Sequence, residues 1–111
     1  METIYPTKDA KRYKAYKHSD STDDLKVNWR EYLDDGEAIS SQTITANNIT
    51  VDSNSSSGQE STIWLSGGEP KTNAYIDLTI TTDNATARIF EVRIYFYFEP
   101  QTEYYDSGYY Y

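Results

Sequence analysis

The chain has 111 residues, 37% of them hydrophobic, no cysteine, and a formal net charge of −8. That size and apolar content fit one domain with one modest core, and the lack of cysteine excludes a disulfide framework and a thiolate zinc site. No apolar run approaches the roughly 20 residues of a membrane-spanning helix, and METIYPTKDAKRYKAYKHSD lacks the apolar stretch of a signal peptide, so the chain reads as soluble, made in the cytoplasm, and without an N-terminal secretion signal.

Residues 1–24 show no period-two pattern and read as a basic and polar N-terminal arm. Residues 1–18 hold Lys8, Lys11, Arg12, Lys14 and Lys17 against Glu2 and Asp9, a net of +3, while residues 19–111 hold five basic and 16 acidic residues, a net of −11. An acidic body argues against a nucleic-acid-binding domain. A basic arm on such a body can dock on another acidic subunit; a solvated tail accounts for the same residues. KRYKAYKH, Lys11 to His18, interleaves Tyr13 and Tyr16 with basic residues. That pattern occurs in single-strand binders, but a mobile arm or an extra turn of helix explains so short a segment without a groove around it.

After the polar link Ser19 to Asp24, Leu25, Val27 and Trp29 alternate with Lys26, Asn28 and Arg30, the first strand signal. Asp34-Asp35-Gly36-Glu37 reads as a turn. Ile39 to Ala46 is rich in Ser and Thr, with Ile39 and Ile44 as anchors; Asn47-Asn48 breaks it, and Ile49 and Val51 mark a further short strand. Asp52 to Gln59, DSNSSSGQ, reads as the longest polar loop, because its residues compete for backbone hydrogen bonds. The stretch Ser61 to Phe98 reads as three strands joined by turns at Ser66-Gly67-Gly68 and Thr82-Asp83-Asn84-Ala85. In its last strand Phe90, Val92, Ile94, Phe96 and Phe98 alternate with Glu91, Arg93, Tyr95 and Tyr97. Residues 99–111 form a C-terminal tail with Tyr104, Tyr105, Tyr109, Tyr110 and Tyr111.

About seven short strands in roughly 80 residues predict an all-β, immunoglobulin-like antiparallel sandwich over residues 25–98, with a small barrel as the competitor. The expected core is Leu25, Val27, Trp29, Leu33, Ile39, Ile44, Ile49, Val51, Ile63, Leu65, Ile76, Leu78, Ile80, Phe90, Val92, Ile94 and Phe96.

The inventory of reactive groups predicts no enzyme and no cofactor. His18 is the only histidine, and no Gly-x-Ser-x-Gly context or Gly-rich phosphate loop is present. Carboxylates are plentiful, but a glycosidase pair needs a cleft that so small a domain rarely has. Asp34, Asp35 and Glu37 around Gly36 lack the Asp-x-Asp-x-Asp-Gly spacing of a calcium loop, and a turn explains them. Asn48-Ile49-Thr50, Asn54-Ser55-Ser56 and Asn84-Ala85-Thr86 match the glycosylation pattern by chance in a chain rich in Asn, Ser and Thr. The tyrosines suit either stacking on sugars or a protein interface.

An ordered set of short motifs carries a resemblance. Asn28-Trp29-Arg30-Glu31-Tyr32-Leu33-Asp34-Asp35-Gly36-Glu37-Ala38-Ile39-Ser40-Ser41 resembles the D-W-x-x-W-L-x-x-G-D-x-I-x-S opening of small tailed-phage virion proteins. Ile49-Thr50-Val51-Asp52-Ser53 is similar to G-L-T-V-D-S, and Trp64-Leu65-Ser66-Gly67-Gly68 to V-W-L-S-G-G. Thr79-Ile80-Thr81-Thr82 with Arg88, Phe90, Val92 and Arg93 is similar to T-I-T-T…R…F-x-V-R. The Tyr5-Pro6-Thr7-Lys8-Asp9 opening is also similar. Over roughly residues 25–94 the chain thus resembles tailed-bacteriophage immunoglobulin-like virion structural proteins of the fiber-tail adaptor type; segment 10–18 and the tail after Phe98 depart from it.

The resemblance implies a non-enzymatic virion protein linking tail and fibers, with capsid decoration, a neck protein, or a carbohydrate-binding adhesin module as alternatives. Its implied partners are tail, fiber or neck subunits and further copies of itself in the assembled particle, with no nucleic acid and no membrane. The candidate interface residues are Lys11, Arg12, Tyr13, Lys14, Tyr16, Tyr104, Tyr105, Tyr109, Tyr110 and Tyr111.

Overall fold

Alternating apolar and polar residues build eight strands and no helix in the computed structural model, which describes residues 2–18, 21–69 and 72–99. The strands are β1 (Thr3–Ile4), β2 (Arg12–His18), β3 (Asp23–Asn28), β4 (Ile39–Asn47), β5 (Thr50–Ser57), β6 (Glu60–Ser66), β7 (Ala74–Thr82) and β8 (Ile89–Glu99). They form two four-stranded sheets, ordered β1-β3-β6-β5 and β2-β8-β7-β4. The all-β sandwich expected from the sequence is the observed architecture. Both sheets are mixed, because β1 pairs with β3 and β2 with β8 in parallel, while the remaining pairings are antiparallel.

The core lies between the sheets. In β7, Ala74, Ile76, Leu78, Ile80 and Thr82 point inward and the residues between them outward, as the two-residue period of a strand dictates. Register sets Ile76 beside Ile94 and Leu78 beside Val92, so β7 and β8 present one continuous apolar face. Leu25 and Val27 of β3 and Ile63 and Leu65 of β6 oppose it, all wholly buried. Of the expected core, Ile39, Ile44, Val51 and Phe90 are only partly buried against the cluster; Ile4, Ala15, Tyr32 and Ala74 join it.

Two expectations are corrected. The segment Asp52 to Gln59 is not a loop: most of it is β5, hydrogen-bonded along β6. Its burial pattern is almost wholly exposed, so no apolar face advertised it. Gly58, at φ +60, closes the β5–β6 hairpin as the first residue of a two-residue loop, where glycine is favoured. Inward-facing Asn54 meets a polar neighbour instead of the core: the Gln42 side-chain amide donates to Asn54 Oδ1 and to the Ser55 carbonyl, both at 3.0 Å, tying the edges of the two sheets.

Nor does the expected arm, as far as it is described, run free of the body. The chain enters one sheet as β1, crosses over residues 5–11, and enters the other as β2. Tyr13, Ala15 and Lys17 are the inward residues of β2, level with Ile94, Phe96 and Phe98. The strand does alternate inward and outward, but its inward set holds one small and one charged residue, so the sequence shows no apolar period of two there. Lys17 is 2% exposed, and its ammonium donates to the carbonyls of His18 (3.1 Å), Gly67 (2.9 Å) and Ser21. An apolar count cannot find such an inward position.

Candidate interaction face

The outer face of the β2-β8-β7 sheet is where the outward half of each alternation collects. Register puts Arg12 beside Arg93, Lys14 beside Tyr95 and Tyr16 beside Tyr97 across β2 and β8. It then puts Tyr95 beside Tyr75 and Arg93 beside Asp77 across β8 and β7. Tyr16 and Tyr97 are 53% and 51% exposed. Their rings stand 5.8 Å apart, with the Lys14 ammonium 5.8 Å from the Tyr97 ring. Tyr75 and Tyr95 pack edge to face at 5.7 Å, and the Arg93 guanidinium lies 4.0 Å over Tyr75. Arg93 grips Asp77 bidentately, at 2.7 and 2.9 Å. That hydrogen-bonded carboxylate, aided by Tyr95, raises the Arg93 pKa above the ordinary guanidinium value. The arrangement holds four tyrosine rings and the Arg93 side chain in place, as an interface anchor requires.

Two open depressions flank these rings. One of about 380 Å³ lies between Asn73, Ala74, Tyr95, Tyr97 and Phe98. The other, of about 320 Å³, lies between Lys11, Arg12, Asp77, Glu91 and Arg93.

The structure gathers some of the sequence candidates here and separates others. Arg12, Lys14 and Tyr16 lie on this face, and Lys11 stands exposed at its edge, its carbonyl accepting the Arg93 N–H at 2.8 Å. Tyr13 points inward instead; its hydroxyl donates to the Ala10 carbonyl at 2.7 Å and accepts the Thr7 N–H at 2.9 Å, folding the crossing segment back onto the strand. Tyr104, Tyr105, Tyr109, Tyr110 and Tyr111 lie outside the described residues. Tyr75, Tyr95, Tyr97 and Arg93 were not among the candidates, although the outward alternation of Tyr95 and Tyr97 was visible in the sequence.

The opposite sheet presents a different exterior. Trp64, 43% exposed, is its one large exposed apolar side chain among the described residues, level with Asp24 and Ser53.

The loop end of the sandwich holds the first of the resemblance motifs, residues 28–41, together with Arg88 and Phe90. Trp29 is wholly buried just past β3, its indole N–H 3.2 Å from Ser61 Oγ, and its ring meets Tyr32 edge-on at 5.4 Å. Tyr32 in turn meets Phe90 at 4.9 Å. Glu37, 6% exposed, takes Arg88 Nε at 3.0 Å and a second contact from Arg88 Nη2, and its Oε1 also accepts the Asp34 N–H at 2.9 Å. Hydrogen bonding to Arg88, then to the Asp34 amide, pulls the Glu37 pKa down to about 2. Glu37, singled out in sequence beside Asp34 and Asp35, therefore fastens its loop to the residue just before β8. Among the described residues no group of three or more His, Cys, Asp or Glu side chains is placed to hold a metal.

Over residues 17–97 the sequence matches the family model described as podophage GP4 fiber-tail adaptor protein gp77. No curated protein matches the chain.

Proposed function

Because the chain belongs to the podophage GP4 fiber-tail adaptor protein family gp77, we propose that it is a non-enzymatic component of the virion that joins fibers to the tail. The observation that carries this reading is the extent of the family match, which runs from the end of β2 to within two residues of the end of β8 and so takes in β3 to β7 whole and most of β8. Several residues that carry the resemblance to fiber-tail adaptors serve the fold: the Trp29–Tyr32–Phe90 stack and the Glu37–Arg88 pair. Partner contacts then belong to exposed positions, foremost Arg12, Lys14, Tyr16 and Tyr97, with the tyrosines at 104, 105 and 109–111 as further contacts. Trp64 favours a second reading, a carbohydrate-binding module, since an exposed ring between polar residues suits a sugar face.

Imaging phage particles made without this protein separates the two. Tails that lack fibers are the expected outcome. Particles that keep their fibers but fail to adsorb to the host would favour the carbohydrate module. Particles with normal fibers and normal adsorption would overturn both readings.

A further inference from the structure

We propose that copies of this chain associate with one another through unlike surfaces: the outer face of β2 and β8 on one copy receives the acidic loop end of the next. The receiving face offers Tyr16 and Tyr97, each more than half exposed, beside exposed Lys14 and Arg12. These rings cannot turn inward, because Ala15, Lys17 and Phe96 hold the inward positions of the same strands. Tyrosine side chains fixed in a sheet supply contact area at low entropic cost.

The donating surface is built by loops 29–38 and 83–88. They are clasped together: the Ala38 N–H donates to Asp83 Oδ1 and the Asp83 N–H to the Ala38 carbonyl, both at 2.9 Å. Glu31, Asp34, Asp35 and Asp83 all stand exposed there. Arg88 is engaged by Glu37 and lies 3.6 Å from Asp34, and Arg30 lies over the Tyr5 ring at 4.2 Å and 3.7 Å from Glu31; with both arginines already engaged, the carboxylates, Asp35 and Asp83 foremost, dominate what a partner meets.

Charge decides the pairing. Two receiving faces brought together would set Lys14 and Arg12 of one copy against those of the other, and like charges across an interface are costly. The receiving face against the loop end sets cations against carboxylates. It also orients an approach that the overall charge of −8 would otherwise oppose. A contact between unlike patches repeats from copy to copy and closes into a ring or runs on as a filament.

The test uses the full chain in sedimentation velocity. Wild-type protein is expected to self-associate at low salt, with an affinity that weakens by about tenfold or more between about 0.05 and 0.5 M salt. Lys14→Glu combined with Tyr16→Ala removes the receiving face; Glu31→Lys combined with Asp35→Lys removes the donating end, leaving Asp34 beside Arg88 at 3.6 Å undisturbed. Each variant alone is expected to be monomeric with an unchanged β-sheet spectrum. Mixed together they are expected to form dimers and nothing larger, because one intact surface of each kind remains. Wild-type protein that stays monomeric at low salt and at about 100 µM would overturn the proposal. So would a loop-end variant that still associates while the face variant does not, which marks a face-to-face dimer.

Discussion

Glu37 shows how one buried charge organises a loop. Its carboxylate holds Arg88 and the Asp34 amide, and the Gln59 side chain reaches the Asp34 and Glu37 carbonyls at 3.1 and 3.0 Å. The pKa of about 2 in the folded chain lies below the ordinary 4.5. A lowered carboxylate pKa contributes stability in full above the unfolded value and loses it as pH falls through the folded value. The melting temperature of Glu37→Gln is therefore expected to lie below wild type above pH 4.5, with the gap closing as pH falls toward about 2. Thermal melts at several pH values check this, and a constant gap would contradict it. Trp29 and Ile94 are wholly buried apolar anchors. Trp29→Ala is expected to cost about 3–5 kcal/mol and Ile94→Ala about 2–5 kcal/mol. Thr81→Ala, at a half-buried outward position of β7, serves as the near-neutral control in the same urea titrations.

At the scale of elements, strands with a clean apolar alternation were legible and those without it were not. β7 and β8 announce themselves through Ile76, Leu78 and Ile80 and through Val92, Ile94 and Phe96. β5 and β2 stayed hidden for opposite reasons. Most of β5 lies exposed along β6 at the edge of its sheet and needs only a hydrogen-bonding neighbour, which polar residues accept. β2 does bury residues, but its deepest long side chain is a lysine whose charge is met by backbone carbonyls. Buried polar groups persist where their hydrogen bonds are satisfied, and that satisfaction is invisible before the loops are in place. Because β2 covers the edge of β8 and buries Ala15, removal of residues 1–18 is expected to lower the urea midpoint as well as any assembly function. A truncated protein with an unchanged midpoint would show that β2 adds nothing to the folded body.

At the scale of the whole molecule, the all-β class followed from local periodicity, whereas the interaction face did not. Tyr16 and Tyr97 lie far apart in sequence, and only the β2–β8 pairing makes them neighbours. Turn residues specify which strands are consecutive; they carry no signal for a strand that joins an edge from a distance. The same limit hid the Arg93–Asp77 clamp, whose members sit on neighbouring strands and meet only in register.

That parallel pairing has a mechanical consequence. Arg12 pairs with Arg93 and His18 with Glu99, so the start of β2 and the end of β8 lie at opposite ends of one seven-residue ladder. A pull applied between those two points runs along the strands and loads every rung of that ladder at once. Strands of opposite direction, gripped at neighbouring ends, would instead open rung by rung like a zipper. A part that carries tension along this line resists in shear, with Lys17 pinned to the Gly67 carbonyl as a cross-tie to the loop after β6.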